Sequence, residues 1–419
     1  MSSIYDYSGK EIVVSGSASF EPMENDIPIV EIDGELPTSK WQGELPVKIT
    51  YKSLTTQFTN WATLKVQGDS STQYPKKNFT LKMFSNSERT TKDKRVFRDW
   101  EKANKFVLKA NWVDHSHARN IVNARIWTQV VRSRSDFDAL PSDLKNSHIA
   151  IDGFPIKIFA NGIYQGLYTW NVPKSALYGL NDDSLTNALI QGEGYDDICL
   201  FRASSDTSNK WSDETHDAKP PIIKSGWDRV LNFVYTSSDA NFLENFGDYF
   251  DKQSIIDQYI FLYTACVVDN LAKNQTFFTY NSYLWYGGMY DLDGTWGLPP
   301  FHQGWYSYDT AFQNGYTVVT DGSGSTNLFY EKVGRVFASD IQTRYQELRA
   351  SVLSENNIIA EFNRFMSNIN SDLYAEDFAE TTAGGAYTSI PYTTTDHERQ
   401  IRQFVVNRLA YVDSQILTT

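Results

Sequence analysis

Apolar and polar residues alternate along Leu45–Phe84, in the runs PVKITYKS, WATLKVQG and NFTLKMF. A period of two turns one side of each run toward a core and the other toward water, which predicts β-strands. KFVLKANW at Lys105–Trp112 predicts a further strand. The period then changes. Ile121, Ala124, Ile126, Trp127, Val130 and Val131 recur at helical spacing and predict a helix over His117–Arg132. Pro155–Ala160 and Gly166–Asn171 are two more strands, joined through Asn161-Gly162, a dipeptide suited to a tight hairpin turn. Ahead of all these, residues 1–45 mix Gly, Pro, Ser and acidic residues with short β-like runs at Glu11–Val14 and Ile27–Ile32, and read as an arm or accessory segment.

Beyond the polar stretch Arg202–Pro221, which reads as an exposed loop or lobe boundary, helical spacing takes over. Helices are predicted at Asp228–Thr236, Ser254–Val268, Leu328–Phe337, Ile341–Leu353, Asn357–Ile369 and Asp396–Ile416. The fold class expected is α+β, with a β-rich first lobe over 46–201, an exposed loop over 202–222 and a helix-rich second lobe over 223–419. Tyr306–Asn327, rich in Gly, Ser and Thr, is a long loop of the kind that is functional or disordered.

Composition narrows this picture only modestly. The chain has 419 residues and a net charge of −13, which argues against general nucleic-acid binding. Its 15% aromatic content fits interfaces or sugar-binding faces. Cys199 and Cys266 form no C-x-x-C pair, so buried thiols are expected rather than a zinc site or disulfide framework. MSSIYDYSGKEIVVSG has neither the basic nor the apolar region of a signal peptide, and no run is long enough to span a bilayer.

The chemistry concentrates in Ala265–Leu298. Asp269 precedes Asn274 by five residues, an apparent hairpin follows, and Asp291 and Asp293 stand at a strand end. Phosphoryl transfer needs parts in this order: an Asp to take the hydroxyl proton, an Asn beside a divalent ion, and an Asp holding metal after a hairpin. Alternation would put Asp291 and Asp293 on one face, and two close carboxylates repel unless a cation intervenes. The same residues are also common in turns, and a glycosidase using Asp269, Asp291 or Asp293 needs a similar carboxylate pair. Ser70 and Ser71, in the loop GDSST between two strands, have donors suited to phosphate oxygens. Lys77 shares the odd positions of its run with Phe79, Leu81 and Met83, and Lys109 ends FVLK just before the first helix. Either lysine is placed to meet phosphate. That helix contains no Asp or Glu to pair with a lysine. Trp296 either flanks a base or packs. Asp114 and Ser116 are suited to capping the helix, which makes a metal site at His115 and His117 the weaker reading.

Five ordered blocks carry a resemblance: GDSSTQYPKKNFTLK, FVLKANWVDHSHARN, FPIKIFANGIYQGLY, VVDNLAKNQTFFTY and YDLDGTWGL. Together they resemble the CotH family, the atypical kinases first named from a spore-coat protein. The resemblance implies a two-lobed, protein-kinase-like fold that binds ATP with Mg or Mn between its lobes and phosphorylates Ser or Thr of structural proteins. It implies Asp269 as catalytic Asp, Asn274 as its metal-side partner, Asp291 or Asp293 as metal ligand, and Lys77 as phosphate lysine. IYDYSGK and ANWVDHSHARNIV are similar to CotH-like proteins encoded among phage tail and baseplate genes. That setting implies a virion location, or a cytoplasmic one before assembly. It also implies a protein substrate, neighbouring virion proteins or further copies of the chain as partners, and admits a non-catalytic scaffold.

Overall fold

The computed structural model describes residues 27–298, 307–309, 326–382 and 394–417. Along the chain, strands β1 (Ile29–Asp33), β2 (Leu45–Lys52), β3 (Gln57–Gln67), β4 (Asn78–Phe84) and β5 (Lys105–Lys109) precede helix α1 (Arg119–Arg132) and the short α2 (Ser142–Lys145). Strands β6 (Gly153–Ala160), β7 (Ile163–Asn171), β8 (Ala188–Gly192) and β9 (Trp211–Asp213) follow, then helices α3 (Pro221–Thr236), α4 (Asp239–Asn245) and α5 (Lys252–Ala265). The hairpin of β10 (Thr276–Thr279) and β11 (Tyr286–Gly288) leads to α6 (Leu328–Val336), α7 (Ala338–Arg349), α8 (Glu355–Met366), α9 (Ser371–Thr382) and α10 (Thr394–Ile416). The content is α+β, as the sequence predicts.

These elements form two compact units, neither of them continuous in sequence. One comprises Met1–Val122, Ile151–Pro173 and Glu361–Gln400; the other comprises Asn123–Ala150, Lys174–Ala360 and Ile401–Thr419. The division therefore does not follow chain order, unlike the expected 46–201 and 223–419.

The first unit is a closed barrel with strand order β1-β2-β3-β4-β5-β7-β6, and the parallel pairing of β1 with β6 completes the ring. Alternation does the work the sequence promised: Val47, Ile49 and Tyr51 of β2, and Ala62, Leu64 and Val66 of β3, all point into the core. Each large apolar side chain so buried contributes about 1.5–3 kcal/mol. Asn161 and Gly162 both take positive φ, 49° and 80°, which gives a tight turn whose twist matches the β6–β7 pair. Residues 1–45 are not simply an arm, because Val30 and Ile32 of β1 are buried in the barrel. Glu11–Val14 lies outside the described residues. Helix α9, which periodicity did not predict, packs on β7.

The second unit contains an antiparallel sheet of order β11-β10-β8-β9, with α3, α5, α6 and α7 among its helices. Strand β9 lies inside the stretch expected to be an exposed loop. Trp211 there is fully buried, and Asp206 accepts the backbone N–H groups of Lys210 (2.7 Å) and Trp211 (3.0 Å). A polar-looking segment thus folds around one buried carboxylate. Trp211, Trp227 and Phe277 pack together, with ring centroids 4.7–5.9 Å apart. Much of the aromatic content is core, and Trp127, Trp170, Trp211, Trp227, Trp285 and Trp296 are all fully buried. Cys199 and Cys266 are free and buried, as expected. Arg344 of α7 ties this unit together. It donates to Asp257 of α5 at 2.7 Å, to the Val130 carbonyl at 3.1 Å and to Ser133 Oγ at 2.9 Å. No helix among the described residues is long and apolar enough to cross a membrane.

Candidate functional site

Helix α5 stops where Cys266 adopts the left-handed conformation, φ 56° and ψ 51°. The chain then makes a short turn at Asp269–Leu271 and enters β10 through Asn274, itself at φ 60°. That reversal brings Asn274 back onto Asp269: Asn274 Nδ2 donates to Asp269 Oδ2 at 2.7 Å and reaches Asp291 Oδ2 at 3.5 Å. Asp269, Asn274 and Asp291 are therefore gathered by one amide. Asp293 follows two residues later and is half-buried.

Asp291 and Asp293 do not share a strand face. Strand β11 ends at Gly288, and Asp291 has φ 55°, so the period-two argument does not apply across Asp291-Leu292-Asp293. What aims Asp291 is its left-handed backbone, a conformation that costs a non-glycine residue of order 1 kcal/mol or more and persists where the surroundings impose it.

Polar side chains hold this turn from behind. Asn270 Nδ2 donates to the carbonyls of Asn274 (3.1 Å) and Tyr290 (2.6 Å), which joins the turn to the exit of the hairpin. Gln258 of α5 donates to the carbonyls of Thr276 (3.1 Å) and Gly288 (2.9 Å), spanning β10 and β11. The Asn274 N–H donates to the Gly192 carbonyl at 2.9 Å, and a Cβ on Gly192 would stand 2.4 Å from the Ala272 oxygen. Only glycine permits that approach. Tyr195 donates its phenolic hydrogen to Asp269 Oδ1. Burial pushes the Asp269 carboxyl up to about 6; Asp291 adds to the rise, against the hydrogen bonds from Tyr195 and Asn274. Asn270, Gln258 and Tyr195 carry no motif signal, since buried polar partners are chosen by tertiary position.

Trp296 is fully buried, and its indole donates to Asn123 Oδ1 at 2.7 Å, so it packs instead of facing a ligand. Asn123 donates in turn to Thr295 Oγ1 at 2.7 Å, which anchors the segment after Asp293. Tyr306–Asn327 lies mostly outside the described residues.

Ser71, Lys77 and Lys109 belong to the barrel unit. The loop Ser70–Gln73 is a short helical turn; Ser71 Oγ accepts from Asn78 at 3.3 Å, and the Ser70 side chain lies outside the described residues. Lys77 donates to the carbonyls of Thr72 (2.8 Å) and Tyr74, so its ammonium braces this loop. Its inward placement does not follow from strand alternation, because β4 begins at Asn78. Lys109 is half-buried at the end of β5, opposite Thr169.

The neighbouring Lys76, which the sequence reading passed over, is the more deeply placed lysine. It pairs with Asp377 of α9 at 2.7 Å and stands over the Tyr168 ring at 4.8 Å. Asp377 also meets His117 Nε2 at 2.9 Å and accepts the Leu167 N–H at 2.7 Å. Burial opposes ionisation of both partners, but Lys76 and His117 hold the Asp377 carboxyl well below the usual range. Lys76 and Asp377 thus form a buried ion pair between residues 301 apart in the chain. Lys76, Lys77, Phe79, Trp112, Tyr164 and Tyr168 line part of a cavity of about 330 Å³. Asp114 accepts the N–H groups of Ser116 (3.2 Å) and Arg119 (2.8 Å), in keeping with its predicted capping role.

Among the described residues, no three His, Cys, Asp or Glu side chains form a metal-binding group. The comparisons agree with the motifs: residues 64–412 match the family described as CotH kinase protein. No curated protein matches the chain.

Proposed function

The chain belongs to the CotH kinase family, and on that premise we propose that it binds ATP with Mg²⁺ or Mn²⁺ and phosphorylates a protein hydroxyl, of the Ser/Thr class. The observation that carries this reading is the bridge of Asn274 to Asp269 at 2.7 Å and to Asp291 at 3.5 Å. The donor set fits a hard cation. Mg²⁺ commonly takes one or two protein carboxylates and fills its remaining positions with water and phosphate oxygens, so a three-carboxylate cage is not required. Asn274 and Asp291, with Asp293 beside them, would hold the cation, which supplies neutralisation of phosphate charge.

In this reading Asp269 accepts the hydroxyl proton. Burial and the Asp291 charge favour its protonated form, which makes it a stronger base than an ordinary carboxylate once ionised. Asn274 fixes Asp269 Oδ2, while Oδ1 accepts the Tyr195 hydroxyl, which a substrate hydroxyl would have to displace. Lys77 and Ser71 shape the loop expected to meet phosphate, Lys109 is the alternative phosphate lysine, and the Lys76–Asp377 pair takes the part played elsewhere by a strand-lysine and helix-glutamate pair.

The wording IYDYSGK and ANWVDHSHARNIV supports a phage tail or baseplate setting, with neighbouring virion proteins as substrates or binding partners. Thermal unfolding with ATP and Mg²⁺ or Mn²⁺ tests the proposal. A ligand at 100 times its Kd stabilises by about 2.7 kcal/mol, so wild type should gain several degrees and Asp291→Asn should not. Absence of a rise at millimolar nucleotide would sink the kinase reading and leave a non-catalytic structural scaffold.

A further inference from the structure

Asp269 already holds a hydroxyl of its own chain. Tyr195 lies in the loop between β8 and β9 and donates its phenolic hydrogen to Asp269 Oδ1, while Oδ2 accepts from Asn274. The loop is pinned on both sides. Glu193 accepts from Ser212 Oγ at 2.6 Å and its N–H donates to the Lys210 carbonyl at 2.9 Å. Asp196 Oδ1 accepts the N–H groups of Ile198 (3.1 Å) and Cys199 (3.2 Å). Tyr195 is therefore delivered to Asp269 by a built loop, and it remains half-buried at the site.

A proton-accepting aspartate acts on whichever hydroxyl is hydrogen-bonded to it. We propose that Tyr195 is an intramolecular phosphoryl acceptor, modified by this chain's own site before any protein substrate is served. The inference rests on the kinase reading above. In the transfer, Tyr195 Oη bonds to the γ-phosphorus of a nucleoside triphosphate. The bond from that phosphorus to the β,γ-bridging oxygen breaks, its electron pair leaves with the nucleoside diphosphate, and the phenolic proton passes to Asp269.

The product has a consequence for the site. Phosphotyrosine carries a charge of about −1.5 to −2 and would stand beside Asp269 and Asp291, in a loop that also holds Glu193, Asp196 and Asp197. Like-charge repulsion expels it from Asp269. The oxygen that Tyr195 occupied is then open to an external hydroxyl, so one transfer both marks the loop and vacates the base.

The test uses the full chain with ATP and Mg²⁺ or Mn²⁺, maps phosphate by peptide mass spectrometry and records nucleotide-dependent Tm on the same samples. The expected result is phosphate on Tyr195 at a fractional rate independent of protein concentration. It should be absent from Asp269→Asn and from Tyr195→Phe, the latter keeping the wild-type Tm rise. Nucleotide protection with Tyr195 unmodified, or with phosphate only elsewhere, overturns the inference and leaves nucleotide binding standing. A rate proportional to protein concentration overturns the intramolecular route. No protection by nucleotide removes both readings.

Discussion

At the residue scale, the proposed chemistry depends on a few backbone positions in unusual conformations and one carboxyl whose affinity for protons is raised. Asp269 titrates near 6, against an ordinary 3.8, chiefly because burial penalises its charge. The sign follows directly. Proton transfer needs the carboxylate, so kcat/KM should rise with pH through about 6 and then level; a flat profile from pH 5 to 8 would remove Asp269 as the base. The same raised value contributes stability below the ordinary Asp range that is lost as pH rises through about 6, so the ionised form needed by the proposed base is the one the fold disfavours. Gly192→Ala would push its new methyl against the Ala272 carbonyl, which carries the Asp269–Asn274 turn. The expected outcome is a loss of turnover larger than the change in Tm. Gly166 is a second such position: at φ 104° its Cβ would lie 2.4 Å from Asp377 Oδ1 and 2.9 Å from Lys76 Nζ. Gly166→Ala should destabilise the barrel unit by more than the ~1–3 kcal/mol of a strained backbone alone, measurable by urea denaturation.

At the element scale, periodicity carried the reading where local pattern and burial agree. Strands β2 to β4 and β6, helix α1 and the Asn161-Gly162 turn are legible because each buries one face against a single core. Local pattern is silent where tertiary contacts override it. Helix α9 shows no clear apolar stripe, and its decisive residue, Asp377, is buried only because Lys76 and His117 meet it there. Strand β9 is polar apart from Trp211, and Asp291 is set by a left-handed backbone that no spacing rule foresees. Asp269, Asn274 and Asp291 stand out in the sequence as a motif, whereas the Asn270 and Gln258 amides that hold their turn carry no such signal. Arg344 gives a test at this scale. It is the charge partner of the fully buried Asp257, so Arg344→Ala strands a carboxyl and should cost about 3–5 kcal/mol by chemical denaturation. An Asp257→Leu, Arg344→Leu double variant should recover much of the loss, whereas a double variant as unstable as the sum of the two would argue that packing, not charge, dominates.

At the scale of the whole molecule, Lys76 and Lys77 of the barrel unit both stand in specific bonds. Asp377→Ala would leave Lys76 buried without its acid. Hydrogen exchange should then quicken across β1 to β7, while β8 to β11 keep their protection; uniform quickening would mean the two units lose stability together. The interleaving of the units also reaches back to how the protein is made. A ribosome releases Lys76 first and Asp377 301 residues later, a delay of about 15–60 s at ordinary elongation rates. From Asn171 onward the barrel strands are all present, but their buried lysine has no acid to neutralise it until Asp377 follows. The barrel unit is thus completed only once Glu361–Gln400 has emerged, and a chain cut short before residue 377 leaves Lys76 without its acid.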